Sequence, residues 1–177
     1  LGCIPNSESL DILFRIKERD VSKPVSIGVE NLEQATELAV VPSDVYEIIR
    51  DFPEGSLTII LESKTKLDYR LGGRNVALRV VSNPITKKLL NKVGPLTATS
   101  ANLSGFEPAN NCDEAAKILN SGAYTVLSLG GECGGGMPST LIAWHTVCDA
   151  PNSPYIEVVR EGKVSRKDVL DWWQKRI

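Results

Sequence analysis

VALRVVSNPITKKLLNKVGPLTATSANLSG, Val76 to Gly105, switches period twice. Val76, Leu78 and Val80 share one face of an extended segment and Ala77, Arg79 and Val81 the other, the alternation of a strand. Asn83 then stands as a helix cap, Pro84 takes the first helical position, where its missing N–H costs nothing, and Gly94 ends the helix. PLTATS resumes an extended run that passes into SANLSG. Strand, helix and strand in succession predict an α/β layered fold.

The flanking sequence extends that alternation. Asn6 or Ser7 can cap a helix in which Leu10, Leu13, Phe14 and then Lys17 recur at three- and four-residue spacing, so a lysine occupies the apolar row. NLEQATELAV from Asn31 and SDVYEIIRDF from Ser43 read as helices, each opening on a capping side chain. SLTIILES, Ser56 to Ser63, is a short aliphatic strand of the buried kind. DEAAKILN, TVLSLGG, STLIAWH and YIEVVRE supply further strand and helix signals, and SRKDVLDWWQKRI closes the chain as a helix. The expected architecture is α/β (α+β), a mixed and twisted sheet flanked by helices. With no internal repeat and no linker, residues 1–177 are expected to form one domain.

Composition narrows the function classes. A chain of 177 residues with 42% apolar and 24% charged residues can bury one core. The formal charge of −2 argues against a surface that binds nucleic acid or anionic lipid everywhere, so a basic site must be local. Cys3, Cys112, Cys133 and Cys148 form no C-x-x-C pair and His145 is the one histidine, which fits neither a zinc finger nor a disulfide framework. A reducing, cytoplasmic compartment is expected. No apolar run approaches the ~18 residues of a membrane span.

Arg15, Lys17, Arg19 and Lys23 crowd a helix end and the loop after it. The helix dipole favours cations there, but Lys17 on the apolar row would be costly to bury unless an anion meets it. Arg79 inside a strand needs a partner, either an acidic side chain or a ligand carboxylate matching its fork. Ser100 and Asn102 stand where a strand ends, the usual ligand side of α/β sheets, although an Asx or Ser turn would use the same residues. GGECGGGMPST, Gly130 to Thr140, can bring backbone N–H groups to an anion but lacks the P-loop ending. Cys133 has no evident activating partner, and neither G-x-S-x-G nor H-E-x-x-H occurs. Cations, hydroxyls and amides remain, the equipment for positioning phosphates.

Lys17-Glu18-Arg19, Lys23-Pro24, the LRV around Arg79, SANLSG at Ser100 to Gly105, the glycine loop ending in Ser139-Thr140, and VREG at Arg160 to Gly162 occur in order. Together they resemble the YrdC-like threonylcarbamoyl-AMP synthases in their short, single-domain form. The resemblance implies a YrdC/RibB-like sheet with a deep basic cleft. It also implies a synthase that makes threonylcarbamoyl-AMP and pyrophosphate from L-threonine, bicarbonate and ATP with magnesium, for a tRNA modification. By that resemblance Arg19, Lys23, Asn75, Asn102, Asn110 and Arg160 would hold ATP, with Lys17 near its phosphates. Arg79, Ser100 and Ser139 would hold threonine or its carboxylated form, and no residue is expected to bind metal directly. Lys17 and Arg19 would carry the chemistry, and tRNA or tRNA-modification proteins would be partners.

The chain also departs from the family pattern. It starts at the final Leu-Gly of a P-T-x-T-x-Y-G-L-like segment that helps bind threonine. It is therefore expected to lack the family's N-terminal strand and that part of the threonine site: either the sequence is a piece of a longer chain or the activity is impaired. Pro53-Glu54-Gly55-Ser56-Leu57-Thr58 replaces W-P-G-P-L-T, and Asn75 and Asn110 stand where threonines are common. Two alternatives to the synthase are an RNA-binding module of the same fold and a nucleotide-binding relative that transfers carbamoyl groups. Acidic net charge and few aromatics favour the synthase over the RNA module.

Overall fold

The computed structural model describes residues 1–120, 123–130, 135–145 and 155–176; Cys133, Cys148 and glycine-loop residues 131–134 lie outside these. The helices are α1 (Ser7–Ile16), α2 (Leu32–Ala35), α3 (Ser43–Asp51), α4 (Pro84–Val93), α5 (Cys112–Leu119) and α6 (Arg166–Gln174). The strands are β1 (Ser26–Val29), β2 (Leu57–Glu62), β3 (Asn75–Val80), β4 (Leu96–Ala98), β5 (Thr140–His145) and β6 (Tyr155–Arg160). Among the described residues they form one sheet in the order β4-β1-β3-β2-β5-β6. The β1–β3 and β2–β5 pairs are parallel and the others antiparallel, so the sheet is mixed, as expected.

Register divides the sheet into two faces. Ile27, Leu78, Ile59, Ile142 and Val158 are cross-strand neighbours and all are buried. They belong to one apolar cluster with Leu10, Leu13 and Phe14 of α1, Val45 and Ile48 of α3, and Val169 and Trp173 of α6. The other face carries Leu96, Gly28 and Arg79 in one row, continued by Thr58, Leu141 and Arg160. The next row holds Ala98 and Ser26, then Ala77 and Ile60. Small side chains, Gly28, Ser26, Ala77 and Ala98, line that face, called the trough, where Ser26, Ala77 and Ala98 are half-buried. Gly28 is needed there because a Cβ would come within 3.2 Å of Val81 and 3.4 Å of Ala98.

Several local expectations are corrected. NLEQATELAV forms only the short α2, capped by Asn31 through a 2.8 Å bond from Gln34 N. Turn bonds continue to Ala39 N, which donates to Ala35 O. From Leu38 to Val40 the backbone pairs with the end of β2, Val40 N donating to Glu62 O and Ala39 bridging Ser63, so strand pairing ends the helical run. Ser43 is not a cap: Pro42 holds that position with no side-chain cap bond. TVLSLGG forms neither strand nor helix over residues 125–130, and Leu127 is 83% exposed. His145 stacks on Tyr155 at 4.4 Å, in keeping with a packing residue. No helix among the described residues is long and apolar enough to cross a membrane.

Candidate functional site

α1 ends so that Lys17 and Arg19 diverge. Glu18 sits in the left-handed region at φ 49°, Arg19 N donates to Phe14 O and Glu18 N to Arg15 O, the bond pattern that closes a helix on a left-handed residue. The turn drives Lys17 inward, where it is 1% exposed, and sends Arg19 to the rim. A glycine normally fills this position, so Glu18→Gly is expected to stabilise the chain by about 1 kcal/mol, seen as a raised thermal midpoint. The strain separates the two cations of the K-x-R pattern.

Lys17 Nζ donates to Ser100 O and Asn102 O, both at 2.5 Å, and Ser104 N donates to Lys17 O at 2.8 Å. The lysine thus fastens the SANLSG loop from beneath with main chain and side chain. Asn102 turns its amide inward to Leu103 O and Phe106 O. Burial strips water from the ammonium and the Arg19 charge adds repulsion, together lowering the Lys17 pKa from 10.5 to about 8. Between those values the folded chain has released a proton that the unfolded chain keeps, so stability rises with pH through that window. Urea titrations of the parent and of Lys17→Met are expected to separate there, the variant lacking this share of the rise.

Arg19 is half-buried, with Nε on Lys23 O at 2.8 Å and Nη2 on Pro24 O at 3.0 Å, and burial lowers its pKa. Lys23 is exposed beside it. Ser100 follows β4 beyond the Ala98–Ser26 pair, so it lies at the end of the sheet where β1 and β3 begin. Asn75, the first residue of β3, is exposed at that end, and Asn110 is exposed just before the α5 cap Asn111. Lys17, Arg19, Lys23, Ser100, Asn102 and Asn75 therefore group at one end of the trough.

The other end is built around Arg79, about 13 Å from Asn75 at ~3.3 Å per strand residue. Arg79 Nε donates to Gly55 O at 3.0 Å, and among the described residues no carboxylate pairs with the guanidinium. Burial lowers its pKa, and the Arg160 charge lowers it further. Arg160 Nη2 donates to Ser139 O at 2.9 Å, and the buried Ser139 hydroxyl meets Thr58 Oγ1 at 2.7 Å. Gly162 allows this closure, since a Cβ there would fall 2.2 Å from Pro138 O. Two guanidinium groups among hydroxyls, with no acidic partner among the described residues, have the chemistry to seat an anion.

Sequence reasoning named Arg79, Ser139 and Arg160 but gave no role to Gly55 or Thr58. The available signal was Ser56 and Thr58 alternating along one side of an otherwise aliphatic strand.

One face of the mixed α/β sheet carries cations toward both of its ends. The chain belongs to the Sua5/YciO/YrdC family, whose model, described as "Telomere recombination", matches residues 1–162. A threonylcarbamoyl-AMP synthase of Vibrio parahaemolyticus is 32% identical over 135 residues, covering 72% of each chain. One of Pseudoalteromonas atlantica is 30% identical, covering 82% of this chain and 81% of that one. A Methanocaldococcus jannaschii protein provisionally given the same name is 33% identical, and this chain spans 65% of its length. The solved structure of P. abyssi Sua5 complexed with L-threonine superposes with a TM-score of 0.78 at 24% identity, over 96% of this chain and 49% of that one. E. coli YciO gives 0.72 at 24% identity, over 92% and 77%. At these identities the structural likenesses establish the fold.

Proposed function

We propose that this chain is an enzyme, an L-threonylcarbamoyladenylate synthase acting as a nucleotidyltransferase. The observation that carries the reading is the pair Arg79 and Arg160, without a carboxylate partner among the described residues, at the far end of a trough from Lys17 and Arg19. Such a site suits two anionic substrates that must meet over a floor of small residues. The synthase names of relatives at 30% and 32% identity support the same reading.

In this reading the trough is the basic cleft. Arg79 and Ser139 hold threonine, with Ser100 reaching it from the Lys17 end. Arg19, Lys23, Asn75, Asn102 and Asn110 hold ATP, with Arg160 reaching its phosphates from the Arg79 end and Lys17 beneath them. The threonine amine takes up carbon dioxide derived from bicarbonate, giving a carbamate and releasing a proton, while bicarbonate dehydration supplies one water. A carbamate oxygen then attacks the α-phosphorus of ATP, the bond to the β-phosphate oxygen breaks, and pyrophosphate leaves. No protein nucleophile is needed, because cations placed in advance offset the charge on the transferring phosphorus and the leaving group. Magnesium would arrive with ATP as part of that substrate. The product would serve tRNA modification in the cytoplasm, with tRNA or its modifying proteins as partners.

The test is to mix the protein with ATP, magnesium, L-threonine and bicarbonate and seek threonylcarbamoyl-AMP by mass spectrometry. The adduct is expected only when threonine and bicarbonate are both present. ATP binding without adduct would turn the reading toward carbamoyl transfer, and tRNA retention that falls steeply with salt would turn it toward an RNA-binding module.

A further inference from the structure

Ser56 carries an anomaly at the Arg79 end of the trough. It is 2% exposed, and its hydroxyl has no hydrogen-bond partner among the described residues. Its backbone is fully used: Ser56 N donates to Pro53 O at 3.0 Å, and Ser56 O accepts from Thr140 N at 2.9 Å. A buried hydroxyl left unpaired costs about 1–3 kcal/mol, so alanine would be the better residue for stability alone.

The surroundings of this hydroxyl are those of the anion seat. Gly55, the preceding residue, supplies the carbonyl that orients Arg79 Nε. Leu57, the following residue, belongs to the apolar core, so strand alternation sets Ser56 on the side of Thr58. Thr58 has its hydroxyl partner in Ser139, whose carbonyl holds Arg160. Ser56 is thus the unpaired hydroxyl in a group whose other members are two arginines and two mutually bonded hydroxyls. Its pairing capacity is unspent, and its chain neighbour Gly55 and its ladder neighbour Ser139 carry the carbonyls that hold two arginines with no carboxylate partner among the described residues.

We propose that Ser56 is a ligand-binding residue of the Arg79 seat: its hydroxyl donates to a carboxylate oxygen of the amino acid that Arg79 holds. A turn about its Cα–Cβ bond between staggered positions brings the hydroxyl to the anion, and loading relieves the cost of leaving it unpaired. Ser56 then sets how tightly the amino acid binds and makes no contact with ATP. The assignment rests on the threonine reading of the seat given above.

The test uses calorimetric titration of the full chain with L-threonine and, separately, with ATP, for the parent and for Ser56→Ala. One lost hydrogen bond to a charged ligand corresponds to roughly tenfold weaker binding or more. The expected result is that loss for threonine, unchanged ATP affinity, and a thermal midpoint without ligand that is equal or higher. Equal threonine affinity in both proteins overturns the assignment of Ser56 while leaving the seat intact. Parallel weakening of threonine and ATP with a lowered midpoint also overturns it, since that pattern marks a structural role. Absence of threonine binding by the parent overturns the reading of the seat itself.

Discussion

Lys17→Ala is expected to lower the rate of threonylcarbamoyl-AMP formation by roughly 10²–10³-fold or more, the usual cost of removing one group that stabilises developing charge in a dry site. Two effects combine. The substitution removes a cation 1% exposed beneath the SANLSG loop, and it releases the carbonyls of Ser100 and Asn102 that Nζ holds. The fold is expected to survive, because the penalty for burying an ammonium disappears together with its hydrogen bonds. Lys17→Arg is not expected to rescue the activity, since a planar fork does not fit a socket shaped around a point charge. Mass-spectrometric rates beside a urea titration check both statements, and full activity in Lys17→Ala would contradict the role of this lysine.

Arg70→Ala is expected to destabilise the protein by about 3–5 kcal/mol, the range for breaking a buried ion pair from one side. Arg70 is buried and donates to Asp68 through Nε at 3.0 Å and Nη2 at 2.7 Å, to Asp11 through Nη1, and to Ser7 O at 3.2 Å. Its guanidinium also lies over the rings of Phe14 and Tyr69, at 5.7 and 5.6 Å. These contacts tie the start of α1 to the turn before β3, so they set the base from which Lys17 is presented. The hydrogen bonds from Arg70 hold the Asp68 carboxyl down from 3.8 to about 2. A carboxyl lowered on folding contributes stability that is complete above its unfolded pKa, so the contribution is lost as pH falls from about 4 to 2. Urea midpoints across that range are expected to fall in the parent and to fall less in Arg70→Ala, whose Asp68 has lost its partner.

The two substitutions act on different properties because the sequence uses cations in two ways. Arg70 has carboxylates around it and serves stability. Lys17, Arg79 and Arg160 have none among the described residues and are held by carbonyl oxygens instead; in the proposed reading their charge serves the substrates. Local sequence shows part of the difference, since Asp68 stands two residues before Arg70, but the second partner is distant: Arg70 meets Asp11 across 59 positions.

The sequence by itself determined the elements whose signals are local. Asn83, Pro84 and Gly94 bound α4 because a cap, a fixed φ and a left-handed glycine act within a few residues. The alternation in β3 put Arg79 opposite the core, and the spacing of Leu10, Leu13, Phe14 and Lys17 marked a lysine that is buried. Tertiary structure decided what depends on neighbours far along the chain. It shortened α2 in favour of pairing with β2, and it left residues 125–130 without regular structure despite their apolar alternation. Strand order and register also brought Thr58, Ser139 and Arg160 to Arg79 and set Asn75 at the other end of the same strand. Register is a long-range choice among pairings of similar local propensity, made by burial of the common apolar face, and that face exists only once the strands have come together.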